Sequence, residues 1–222
     1  MNRNVLLHEC QEEQSPYSEA YRILRTNLLF SRVDGPLKKI LFTSSIAQEG
    51  KSISTANTAF SLARIGKRVI VLDCDLRKPA QHLIFGRVAN GLTDALFGDI
   101  PITSLIQETD VENLRLVASG PIPPNPSELL ASSKMQRVLD ELSSAADFVL
   151  IDSPPVLPVT DACIITSRVD GVVLVLGADM VTSEMARAAK ENLDKVAARL
   201  LGVVLNKVSR DDTQAYYYNY HG

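Results

Sequence analysis

Gly50-Lys51-Ser52 lies between an apolar run, Lys39 to Thr43, and a helical pattern that runs from Lys51 to about Ile65. In that pattern Ile53, Ala56, Phe60 and Ala63 share one face, and Gly66 closes it. Gly-Lys-Ser between a strand and a helix is the end of a phosphate-binding loop, whose full pattern is a glycine, four residues and Gly-Lys-Ser/Thr. Here Ser45 stands in place of the first glycine. The backbone N–H groups of residues 47–52 are expected to face phosphate oxygens, helped by the dipole of the helix N-terminus. Lys51 is expected to reach the β- and γ-phosphates and Ser52 to ligate Mg²⁺. The expected cofactors are therefore ATP and Mg²⁺, with Gln48, Glu49, Gly50, Lys51, Ser52 and Ile53 around the nucleotide.

A Gly-Lys-Ser triplet also arises by chance, so the expectation needs support from elsewhere. Asp73 and Asp75 follow the apolar run Arg68 to Leu72, and Asp152 follows Phe148 to Ile151. One aspartate at a strand end is a cap or a loop residue. Three at the ends of buried strands are costly unless they meet a cation, and Mg²⁺ is held through a few carboxylates and waters. Asn206, in Leu205-Asn206-Lys207, reads equally well as an adenine-contacting amide or a turn asparagine.

Further strands are expected at Val172 to Leu176 and Gly202 to Leu205, and another possible one at Leu114 to Ala118. Helical patterns cover Leu92 to Phe97, Ser132 to Ala145 and about Ser183 to Arg199, with a loop over Pro121 to Pro126. Apolar runs alternating with helices imply an α/β fold with a doubly wound, mostly parallel sheet, whose ligands bind at the carboxyl ends of the strands. Near the start, Ser15-Pro16 is a capping serine with proline at the first helical position. Tyr17, Tyr21, Leu24 and Leu28 then form one face; Glu19, Arg22 and Arg25 form another; Asp34-Gly35-Pro36 stops the helix. The expected organisation is a flexible segment 1–14, a domain 15–207 that opens with a helix over 15–33, and a tail 208–222. That tail holds Tyr216, Tyr217, Tyr218 and Tyr220, four of the six tyrosines in the chain.

A formal net charge of −3 argues against a general nucleic-acid binder. No apolar run reaches the roughly 20 residues a membrane helix requires, and the start lacks the pattern of a signal peptide. Cys10, Cys74 and Cys163 are too scattered for a disulfide framework or a zinc site. Cytosolic residence is the expectation.

With these pieces in place the chain resembles the bacterial tyrosine kinases of capsule and exopolysaccharide synthesis. Ser45 to Ser52 is similar to their Walker A loop, Val71-Leu72-Asp73-Cys74-Asp75-Leu76-Arg77-Lys78-Pro79 to their Walker A′ motif, and Val149 to Pro155 to their Walker B. Family members often carry Pro-Gly where this chain has Ala47-Gln48. Glu19-Ala20-Tyr21-Arg22-Ile23-Leu24-Arg25 matches the family's E-x-x-R-x-x-R helix, used between subunits; on residues alone it is a solvated face with an ion pair.

The resemblance implies a P-loop kinase of the deviant Walker group, akin to partition and division ATPases. It implies autophosphorylation of the terminal tyrosines in a neighbour's site within a ring, with Glu19, Arg22 and Arg25 facing Arg77-Lys78 of the next subunit. Asp73 is the expected base, with Ser52, Asp75 and Asp152 at Mg²⁺; the roles of Asp73 and Asp75 are exchangeable at this level. A membrane-embedded polysaccharide co-polymerase as activator and a phosphotyrosine phosphatase are the implied partners. The chain would be a separate cytoplasmic subunit or the kinase part of a longer protein. Two other readings compete. A partition or division ATPase would carry an extra lysine early in the loop, absent from Ser44 to Glu49. A nucleotide-gated assembly module without catalysis would fit the Ala47-Gln48 departure.

Overall fold

Val69, Ile70, Val71 and Leu72 are all buried, and their side chains go alternately to two separate cores. Phe148 to Ile151 and Val172 to Val175 do the same. A strand covered on both faces reads as a continuous apolar run, which is why these segments are recognisable without alternation. The computed structural model describes residues 15–31, 37–87, 90–98 and 100–209.

The chain builds α1 (Pro16–Phe30), β1 (Lys39–Ser44), α2 (Lys51–Ala63), β2 (Val69–Asp73), α3 (Gln81–Ile84) and α4 (Leu92–Phe97). A 3₁₀ turn (Ile102–Leu105), β3 (Gln107–Glu108), β4 (Leu114–Val117), α5 (Pro126–Ala131), α6 (Ser133–Ala145) and β5 (Phe148–Asp152) follow. The chain then forms α7 (Asp161–Thr166), β6 (Gly171–Gly177), α8 (Ser183–Lys195) and β7 (Leu200–Asn206). The seven strands form one sheet in the order β3-β4-β2-β5-β1-β6-β7. Every pairing is parallel except β3 with β4. The register sets Asp73 opposite Asp152 at the carboxyl ends of β2 and β5. α1, α2 and α3 cover one face through Leu28, Ala56, Phe60, Leu62 and Ile84. α4 and α6 to α8 cover the other, through residues such as Leu96, Leu139, Ile165 and Leu193. Each fully buried side chain of this size contributes about 1.5–3 kcal/mol. No helix among the described residues is long and apolar enough to cross a membrane.

The doubly wound, mostly parallel sheet is as expected. Ser15 caps α1 by accepting the Ser18 N–H at 3.1 Å, with Pro16 at the first position. The predicted stop, Asp34-Gly35-Pro36, lies outside the described residues, as do segment 1–14 and residues 210–222 with the four tail tyrosines. Some boundaries differ from expectation. α2 ends at Ala63, ahead of a turn that reaches Gly66 at φ +78°. α8 ends at Lys195, because Ala197 adopts φ +51° and breaks the helical run. Pro126 opens α5, where a loop was expected to continue; proline at a first helical position after Asn125 is the signal for that start.

Candidate active site

The loop between β1 and α2 is held by its own side chains. Glu49 is fully buried. Its Oε2 accepts from Ser45 Oγ at 2.8 Å and from the Ile46 N–H at 2.7 Å, and its Oε1 accepts from the Gly177 N–H at 2.9 Å. Glu49 was expected at the nucleotide. The role expected of it belongs to its backbone N–H; its carboxylate braces the loop against β6. Ser45, in the place of a glycine, supplies one of the braces. Gln48 has φ +69° and Gly50 φ +94°. A Cβ on Gly50 would lie 2.0 Å from Asn206 Nδ2. Asn206 ends β7 and donates to the Glu49 carbonyl at 2.8 Å. It therefore abuts the phosphate loop directly.

Lys51 points from the first turn of α2 into the carboxylates. Its Nζ donates to Asp75 Oδ2 at 2.8 Å, Asp152 Oδ1 at 3.1 Å and Ser52 Oγ at 3.2 Å. Burial alone would lower the affinity of this ammonium for its proton; Asp152 and then Asp75 outweigh burial and hold it above its ordinary value. Asp73 is pushed up to about 7, first by burial and then by the charge of Asp152. The Gln81 N–H, which donates to Oδ2 at 2.9 Å, the charge of Lys51 and the Ala80 N–H, which donates to Oδ2 at 3.0 Å, limit the rise; Oδ1 also accepts the Asp75 N–H at 3.1 Å. Asp75 Oδ1 accepts the Lys78 N–H at 2.9 Å. Burial also raises the Cys74 thiol well above its usual range, so it stays protonated between the two aspartates.

Lys51, Ser52, Asp73, Asp75 and Asp152 are thus gathered at one sheet edge, as expected. Two features escaped the sequence reading. Gln81, fully buried, donates through Nε2 to Asp152 Oδ2 at 2.8 Å and to the Ser52 carbonyl at 3.0 Å, while its Oε1 has no partner. Arg77 grips the buried Asp161 with Nε and Nη2 at 2.7 and 3.1 Å, and Nη2 also reaches Ser127 Oγ at 3.1 Å. Arg77 thus has a partner within its own subunit, although its side chain is 39% exposed. Lys78 beside it is exposed.

The residues fit a magnesium nucleotide. A glycine with no room for a Cβ, a buried lysine at a helix N-terminus and carboxylates beside a serine hydroxyl supply phosphate and cation contacts together. Among the described residues no three His, Cys, Asp or Glu side chains group into a metal site on their own. Mg²⁺ keeps waters and takes substrate phosphates as ligands. Away from this edge, Arg22 pairs with Glu19 at 3.1 Å, and Arg25 donates to the Ser61 carbonyl and Oγ at 3.1 and 3.3 Å. With Arg64, Asn57 and Phe60 these arginines line a cavity of about 240 Å³ between α1 and α2.

This loop, the parallel sheet and the carboxylates on neighbouring strands define an α/β protein with a P-loop nucleotide-binding fold. Residues 38–201 match the family described as the AAA domain. The fold is shared with the septum site-determining protein MinD of Pyrococcus horikoshii OT3 in complex with Mg-ADP, at a TM-score of 0.66 and 24% identity over 81% of this chain and 76% of that one. The resemblance to tyrosine kinases is closer. The putative tyrosine-protein kinase CapB of Staphylococcus aureus is 40% identical over 96% of this chain and 94% of its own length. The crystal structure of the chimerical protein CapA2B2 superposes with a TM-score of 0.88 at 35% identity, covering 95% and 92% of the two chains. The chain belongs to the bacterial tyrosine-protein kinases.

Proposed function

We propose that this chain is an ATP-dependent protein-tyrosine autokinase. It phosphorylates its terminal tyrosines, Tyr216, Tyr217, Tyr218 and Tyr220, in trans within a ring of subunits, and so regulates capsule or exopolysaccharide synthesis or export. One observation carries the reading: Lys51 lies between Asp75 and Asp152 and beside Ser52, with Asp73 next to them. When bound, ATP supplies the phosphoryl group and Mg²⁺ offsets its charge. Lys51 would hold the phosphates, and Ser52, Asp75 and Asp152 would hold the cation. Asp73 takes the proton of the entering tyrosine hydroxyl as that oxygen bonds to the transferred phosphoryl group and ADP leaves. A proton affinity raised toward neutrality suits Asp73 to this role. Most of the rate comes from positioning and charge neutralisation.

Glu19, Arg22 and Arg25 contribute to the contact between subunits, with Lys78 opposite, and Asn206 contributes to the nucleotide site. The enzyme acts in the cytoplasm, at the inner face of the membrane, where a membrane-embedded co-polymerase activates it and a phosphotyrosine phosphatase resets it. Each phosphate adds roughly −1.5 to −2 charges, and crowded together they favour dissociation of the ring. The test is mass spectrometry of the C-terminal peptide after phosphatase treatment and re-addition of ATP and Mg²⁺. Tyrosine phosphorylation in the wild type and none in Lys51→Met is the expected result. An unmodified wild-type peptide rejects the proposal.

A further inference from the structure

Gln81 is the first residue of α3, a helix of four residues, and is fully buried. Its amide is oriented without ambiguity. Nε2 faces two acceptors, Asp152 Oδ2 at 2.8 Å and the Ser52 carbonyl at 3.0 Å. Turning the amide over would set three oxygens against one another. The backbone N–H of Gln81 donates in addition to Asp73 Oδ2 at 2.9 Å. One residue thus touches Asp73, Asp152 and Ser52, which belong to three different elements. Its Oε1 is buried and accepts from no donor, a situation that costs about 1–3 kcal/mol and is uncommon where no ligand is due.

We infer that Gln81 is the positioning residue of the metal site. Its Nε2 fixes the rotation of the Asp152 carboxylate, so that Oδ1 is turned toward Lys51 and the phosphate loop, and it pins the backbone that carries Ser52. Its Oε1 accepts from a water of the hydrated cation. This rests on the proposed Mg²⁺ nucleotide site and adds a residue to it. Hydrogen-bond partners of metal ligands typically set affinity by 10–100-fold.

The test measures ADP binding by calorimetry, once with Mg²⁺ and once with EDTA. Gln81→Met keeps the length of the side chain and removes both polar atoms. The expected result is a loss of about tenfold or more with Mg²⁺ and no material change in EDTA. A second variant, Gln81→Glu, sets a carboxylate against Asp152 and keeps the shape; it is expected to show the same selective loss, and it decides the question if the methionine variant does not fold. Equal losses in both conditions would mean a purely structural role and overturn the inference, as would wild-type affinity with Mg²⁺. If ADP binding by the wild type does not respond to Mg²⁺, the underlying metal reading fails and takes this inference with it. A Mg²⁺-dependent wild type with an unaffected variant removes Gln81 alone.

Discussion

Asp73 and Asp152 are register partners at the ends of adjacent parallel strands, both without solvent exposure. Burial and this like charge push Asp73 up to about 7, against about 3.9 in an unfolded chain. The sign follows directly. Between about pH 4 and 7 the folded protein keeps a proton that the unfolded chain has given up, so stability falls as pH rises through that window. The cost is at most about 4 kcal/mol. In metal-free protein, urea denaturation is expected to show lower stability at pH 8 than at pH 5, and Asp73→Asn to flatten most of that slope while abolishing phosphorylation. An equal slope in the variant would assign the pH dependence to another group.

Gln48 holds φ +69° at an exposed position of the phosphate loop. A left-handed conformation costs a residue with a Cβ roughly 1–2 kcal/mol, and glycine escapes it at some entropic cost. Gln48→Gly should therefore stabilise the protein by about 0.5–1 kcal/mol, a rise in Tm of about 2–4 °C or less for a chain of this length. ADP binding should be kept. Gln48→Val, stiff at its branched Cβ, should lower both. A glycine variant that melts earlier than the wild type would show that the loop carries no such strain.

Glu49 satisfies a hydroxyl and two backbone N–H groups from full burial. Glu49→Ala strands all three and is expected to cost about 3 kcal/mol, judged from the worth of hydrogen bonds to a charged group. Glu49→Gln keeps an acceptor but turns an NH₂ toward one of the donors, and should cost about 1 kcal/mol. Both variants should weaken ADP, because the brace sets the course of the loop. Thermal melts with and without ADP measure the two effects together.

The elements most legible in the sequence are those fixed by burial on two sides. β1, β2, β5 and β6 were expected to within a residue or two because Ile40, Val71, Leu150 and Val173 leave no polar face. The aspartates were legible for the same reason, since charge at the end of such a run demands an explanation. Gln81 left no signal: a helix of four residues has no periodicity, and a buried glutamine looks like any surface one until β5 and α2 are placed beside it. The brace between Ser45 and Glu49 is hidden because Ser45 reads only as a stand-in for glycine and Glu49 only as a backbone donor. Asp161 is buried yet opens a short helix, α7, that had not been anticipated. The resemblance sets Arg77 with Lys78 at the contact between subunits, and nothing in the sequence shows that Asp161 also pairs with it.

The placement of Arg77 separates folding from assembly. Asp161 is fully buried and its carboxylate is held by Arg77 and by Ser127 Oγ at 2.6 Å. Removing the partner of a buried carboxylate is strongly destabilising, but the Arg77 side chain is 39% exposed, so solvent screens part of the effect. Arg77→Ala should cost about 2 kcal/mol, and Arg77→Lys nearly as much, since an ammonium cannot reproduce the paired contact of a guanidinium. Arg22 and Glu19 form an ion pair whose side chains are 41% and 45% exposed, and such pairs are worth only a few tenths of a kcal/mol. Glu19→Ala and Arg22→Ala are therefore expected to leave the melting of dilute monomer almost unchanged and to alter assembly in light scattering. Arg77→Ala is expected to lower the melting temperature at every protein concentration. A loss of assembly in Arg77→Ala with no change in monomer stability would assign this arginine to the interface between subunits.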